Sequence, residues 1–114
     1  MPDCIFCKID RGEIAADKVY DDGSIVGFRD IQPQAPTHVV IIPKQHIATM
    51  NDVTESDSKL LSDMLLAAQR IANDSGLSEK GYRIVINCNK DGGQLVFHLH
   101  AHLLGGRRMS WPPG

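Results

Sequence analysis

The sequence predicts an α+β fold: an antiparallel sheet of about five strands, one long helix across it and a short N-terminal helix, in a single domain over residues 1–114. Three observations carry this expectation. Asp22-Gly23 separates two β-prone runs, Leu60, Leu61, Met64, Leu65, Ala68, Ile71 and Ala72 fall on one helical stripe, and residues 98–103 alternate histidine with apolar side chains. A chain of 114 residues is one core's worth, since two independent cores need roughly 100 residues each.

The elements follow in order. Ile5, Phe6 and Ile9 recur at helical spacing and Gly12 follows, which marks a short helix with Cys4 and Cys7 in its first turns. The runs 19–21 and 25–28 flank Asp22-Gly23, a pair that tolerates the positive φ angles of a type I′ hairpin turn. Residues 30–36 form a polar loop with Pro33 and Pro36, leading into the β-branched run 37–42, an interior strand closed by Pro43. Thr54 caps the long helix and Gly76 ends it. Residues 82–87 alternate around Ile84 and Ile86, residues 90–94 turn the chain, and residues 95–104 form the last strand.

Composition narrows the function classes. Hydrophobic residues at 42% and charged residues at 23% are those of a globular domain with enough apolar material for a core. Twelve basic against fourteen acidic side chains give a net charge of -2, and no basic cluster exceeds Arg107-Arg108, which argues against long nucleic acid as a partner. No apolar run approaches the ~18 residues of a membrane span and no secretory leader is visible, so a cytoplasmic protein is expected. Three cysteines are a poor disulfide framework; Cys4-x-x-Cys7 points to metal or redox chemistry, and Cys88 to a packed thiol.

The chemistry concentrates in His98-Leu99-His100-Ala101-His102-Leu103-Leu104. A strand's period of two places His98, His100 and His102 on one face and Leu99, Ala101 and Leu103 on the other. One metal cannot use all three, because the outer histidines stand about 13 Å apart at ~3.3 Å per residue while Zn–N bonds are ~2.1 Å. The pattern fits nucleophilic catalysis: His100 attacks, one neighbour orients it, and the other donates to the charge on the substrate. Gly92-Gly93-Gln94, just ahead, is a turn whose backbone N–H groups could approach an oxyanion, so a phosphorus centre is the natural target.

This run resembles the motif of the histidine triad superfamily. Phe28-Arg29-Asp30-Ile31, Gln34-Ala35-Pro36-Thr37-His38, Gly92-Gly93-Gln94, Leu104-Gly105-Gly106-Arg107 and Trp111-Pro112-Pro113-Gly114 are similar to its nucleotide-binding Hint branch. The resemblance implies a HIT-like fold and hydrolysis of purine nucleoside phosphoramidates through a nucleotidylated histidine, with no cofactor needed for the chemistry. His100 is then the nucleophile, His98 its neighbour in the catalytic triad, and His102 a phosphate contact. The nucleotide pocket falls on Phe28 and Ile31 for the base, Asp30 for the ribose, and Asn87, Gly93 and Gln94 around ribose and phosphate. Phe28 and Ile31 could equally be plain core. Leu95 stands where many members place a serine near the leaving group. The branch is homodimeric, its tail reaching the partner's site, which makes Trp111 a contributor in trans. An AMP-binding regulator with little turnover and a dinucleoside polyphosphate hydrolase are the alternatives.

The Cys4-x-x-Cys7 pair resembles that of metal-binding bacterial members, in which two histidines complete a Cys₂His₂ site; here they are His46 and His98. A structural zinc is implied, with two packed thiols as the alternative.

Overall fold

A computed structural model describes residues 3–114 of the chain. Five strands form one sheet: β1 (Lys18–Asp21), β2 (Ile25–Arg29), β3 (Thr37–Pro43), β4 (Tyr82–Val85) and β5 (Ala101–Gly105). Their order is β1-β2-β3-β5-β4, and every neighbouring pair is antiparallel. The expected helices are present as α1 (Ile5–Asp10) and α2 (Ser58–Asp74), and a single helical turn, α3 (Asn89–Gly92), precedes the histidine run.

The central place of β3 explains its composition. Val39 and Ile41 pack on one face with Met64, Ala67, Ala68, Ile71 and Ala72 of α2 and with Leu99, Ala101 and Leu103. Val40 and Ile42 pack on the other face with Val26, Phe28 and the α1 residues Phe6 and Ile9. A strand covered by a helix on each side has no polar face to offer. Gly27 on β2 admits α2: a Cβ there would lie 2.9 Å from Cδ1 of Ile71.

Local chemistry closes the elements. Asp57 accepts from the Thr54 N–H at 3.0 Å and from its hydroxyl at 3.3 Å, so Thr54 caps a short 3₁₀ turn, Glu55–Asp57, that runs into α2 rather than capping α2 itself. At the far end Gly76 takes φ +74°, and Leu77 N–H donates to the Ala72 carbonyl at 2.9 Å, a left-handed cap that only glycine adopts cheaply.

Further expectations need correction. The first hairpin closes through three residues, Asp22-Gly23-Ser24, with the Asp22 carboxylate accepting from Ser24 N at 2.9 Å and Ile25 N at 2.8 Å. A type I′ turn is excluded because Asp22 is not in the positive-φ region, whereas Gly23 is, at +91°. The last strand begins at Ala101 rather than Leu95, and β4 ends at Val85. Pairing runs from Thr37↔Gly105 to Ile41↔Ala101 and stops where Pro43 follows, because proline has no N–H to donate; Leu99 N–H goes instead to the Ile47 carbonyl at 2.6 Å. Cys88 is half-buried rather than packed away. No helix among the described residues is long and apolar enough to cross a membrane.

Candidate active site

His100 is held by its own chain. Its Nδ1 lies 2.7 Å from the His98 carbonyl oxygen. A carbonyl only accepts, so Nδ1 carries the proton and Nε2 of the neutral ring keeps its lone pair. The side chain is 6% exposed, stands edge-on to Phe6 with ring centroids 5.0 Å apart, and lines a cavity of about 490 Å³. Burial pushes its pKa down, which keeps the ring neutral near pH 7.

His102 is oriented from the neighbouring strand. Gln34 N–H donates to Nδ1 of His38 at 3.0 Å, which leaves the His38 proton on Nε2. That Nε2 lies 2.9 Å from Nδ1 of His102, so the His102 proton is driven to its own Nε2. Asp30 Oδ2 sits 3.5 Å from Nε2 of His38. The pKa of His102 is pushed down to about 4, first by burial and then by the neighbouring His100 and His38 rings. The pair thus offers a lone pair on one ring and an N–H donor on the next, 5.0 Å apart by ring centroid. Such a pair can attack an electrophile and donate to the charge that develops on it.

His38 is the residue that sequence reasoning did not assign. It closes the run Gln34-Ala35-Pro36-Thr37-His38, but only the β3–β5 register, with Val40 opposite His102 and His38 opposite Leu104, brings it to His102. No local spacing carries that signal.

His98 turns the other way. Its ring is fully buried, and Nε2–H donates to the Pro43 carbonyl at 2.7 Å, leaving the Nδ1 lone pair toward the cysteines. Cys4 Sγ lies 3.3 Å from that Nδ1 and Cys7 Sγ 3.6 Å from it; Nδ1 of His46 is 3.5 Å from Cys7 Sγ. All four donor atoms fall within 4.8 Å of one another. A tetrahedral zinc with ~2.3 Å bonds to sulfur and ~2.05 Å bonds to nitrogen has S···N edges of roughly 3.6 Å, so donor types and spacing both fit that ion.

The remaining predicted residues divide. Phe28, Asp30, Ile31, Asn87, Gly93 and Leu95 line the same cavity as His100 and His102. Phe28 is buried, whereas Ile31 at 94% and Leu95 at 91% exposure stand at its mouth. Gln94 does not line it: its Oε1 accepts from Asn89 N at 2.9 Å, and its Nε2 donates to the Ala48 and Val96 carbonyls at 2.8 and 3.0 Å. Gly93 N–H and Gln94 N–H are likewise spent on Lys90 and Asn89 carbonyls, both at 3.0 Å. The glycine turn therefore caps α3 with Gly93 at φ +81° and does not present those two N–H groups as an anion nest. Trp111 is 83% exposed and outside the cavity of its own chain.

The chain matches the HIT domain over residues 11–109. It is 52% identical over 103 residues to the purine nucleoside phosphoramidase of Escherichia coli strain K12, covering 90% of this chain and 87% of that protein. An uncharacterised HIT-like protein of Synechococcus elongatus is 54% identical over 112 residues, covering 98% and 97% of the two chains. Among solved structures, a HIT family hydrolase from Legionella pneumophila Philadelphia 1 superposes with a TM-score of 0.97 at 60% identity, covering 98% of this chain and 100% of the other. With the histidine geometry and these relatives in agreement, the chain belongs to the HIT domain family.

Proposed function

We propose that this protein, as a single HIT domain, hydrolyses the P–N bond of purine nucleoside 5′-phosphoramidates through a covalent intermediate on His100. The observation that carries the reading is the Nδ1 contact of His100 with the His98 carbonyl, which aims a neutral Nε2 lone pair into a cavity lined by Phe28, Asp30 and Ile31. The phosphoramidase name of the E. coli relative supports the substrate class.

In this mechanism Nε2 of His100 attacks phosphorus and a P–Nε2 bond forms. The P–N bond to the amine breaks, and the amine leaves with the bonding pair and takes a proton from water at the open mouth. His102 Nε2–H donates to a non-bridging oxygen as charge builds there. That water, now hydroxide, attacks phosphorus, the P–Nε2 bond breaks with its pair returning to His100, and the remaining hydroxyl proton goes to solvent. The net change is one amidate plus one water to one amine plus one nucleoside monophosphate. Asp30 holds the ribose hydroxyls, Phe28 and Ile31 the base, and Asn87 and Gly93 the ribose-phosphate junction. Gln94 acts through the backbone it braces.

Cys4, Cys7, His46 and His98 would hold a structural zinc, whose chemistry is to link α1 to the segment that carries His98. With all four positions filled by protein, no reaction step passes through it. A cytoplasmic homodimer in which Trp111 reaches the partner's cavity is the assembly we favour, supported by the exposure of that ring.

Release of ammonia from adenosine 5′-phosphoramidate, with a nucleotidyl adduct on His100 after rapid quench and mass spectrometry, tests the reading. AMP binding without turnover would move the protein to the class of nucleotide-binding regulators.

A further inference from the structure

A second cavity, of about 420 Å³, lies beside the first, and the two share Ile5, Leu95 and Val96 in their walls. We propose that this second cavity is the subsite for the body of the leaving amine, and that it selects an apolar, uncharged body. The inference rests on the phosphoramidase reading and names the half of the substrate that reading leaves open.

Direction comes first. In-line displacement by Nε2 of His100 places the departing nitrogen on the far side of phosphorus. With the nucleoside against Phe28, Asp30 and Ile31, the amine extends past Ile5, Leu95 and Val96, the wall that both cavities share and the one that leads into the second cavity.

Chemistry comes next. Leu95 at 91%, Phe97 at 51% and Ile5 at 45% exposure are large apolar side chains that the described chain leaves open or only half covers. Covering them with an apolar group removes that surface from water. Among the described residues no lysine or arginine lines this cavity; its one carboxylate is Asp3, exposed at the rim. The arginine of the larger cavity, Arg29, is paired with Asp17 at 3.1 Å. An anionic leaving group, whether an amine bearing a carboxylate or a second nucleotide, finds among the described residues no lysine or arginine here to replace its water, the lining His46 already facing Cys7 at 3.5 Å, and must approach Asp3. Phosphoramidates of neutral amines therefore rank above dinucleoside polyphosphates as substrates.

Three adenosine 5′-phosphoramidates test the inference: those of ammonia, phenethylamine and 4-(2-aminoethyl)benzoate, the last two alike in shape and differing by one carboxylate. The parent enzyme should favour the phenethyl compound over its carboxylate by about tenfold or more in kcat/KM, in keeping with apolar-pocket discrimination. That ratio should fall at least about fivefold in Phe97→Ser. Ile5→Ser, on the exposed side of α1, should lower the same ratio and reads it even if Phe97→Ser does not fold. A ratio near one in the parent, or a ratio unchanged in every folded variant, overturns the subsite while leaving the phosphoramidase reading intact. Failure of the parent to release ammonia from the simplest compound overturns the reading and the inference together.

Discussion

The His98 carbonyl oxygen and Nδ1 of His100 are 2.7 Å apart, so the residue whose side chain faces the cysteine pair uses its backbone to set the tautomer of its neighbour. One histidine thus serves two sites: its ring belongs to the candidate metal cluster and its carbonyl to the candidate nucleophile. Second-row contacts of this kind orient reactive groups without touching substrate.

Replacing His100 by Ala should lower kcat/KM for an adenosine 5′-phosphoramidate by about three orders of magnitude or more, as loss of a covalent nucleophile does. KM should change little and the quenched adduct should vanish. A variant within a few-fold of the parent would remove His100 from the mechanism.

His38→Ala removes the donor that holds His102 and leaves Gln34 N–H and Nδ1 of His102 unpaired, at about 1–3 kcal/mol each if they stay dry. The expected outcome is a fall in kcat of about 10- to 100-fold with a smaller change in KM. His38→Gln, whose amide can donate to His102, should recover part of that loss. Equal rates in the Gln and Ala variants would show that the side chain only fills space.

Acid should act through the histidines. The pKa values of His102, pushed to about 4, and of His38 are both lowered by burial, so the folded chain refuses protons that the unfolded chain accepts below the ordinary histidine value of about 6.5. Stability is therefore fully present above that value and is lost as pH falls from about 6.5 toward 4. Thermal melts should be flat from pH 7 to 8 and drop steadily below pH 6, and kcat/KM should hold to a lower pH than free imidazole allows. A kcat/KM midpoint at or above 6.5 would contradict buried, neutral rings.

Metal analysis of protein purified without chelator should find one zinc per chain. The paired Cys4→Ser, Cys7→Ser variant should melt roughly 10 °C or more lower, since a few kcal/mol is worth about that in a chain of this size. Parent-like melting of that variant together with sub-stoichiometric zinc would leave two packed thiols and their histidine neighbours.

Local pattern was sufficient for the parts of this protein whose surroundings are written into their own residues. A run of β-branched residues from Thr37 to Pro43 can be covered on both sides only in the middle of a sheet, and it is. The α2 stripe, the glycine that ends that helix, and the alternation that puts Leu99, Ala101 and Leu103 on the helix side of the sheet and the histidines on the other are equally local. What tertiary structure alone decided is which groups meet. His38 joins His102 through antiparallel register across 64 positions of sequence, and no short-range period encodes register. Pro43 ends the β3–β5 ladder and its carbonyl takes the His98 ring, which turns Nδ1 of that histidine toward Cys4 and Cys7. Gln94 chose two backbone carbonyls and an N–H over the cavity, because a nearly buried amide must satisfy its donors and acceptor wherever the fold supplies partners.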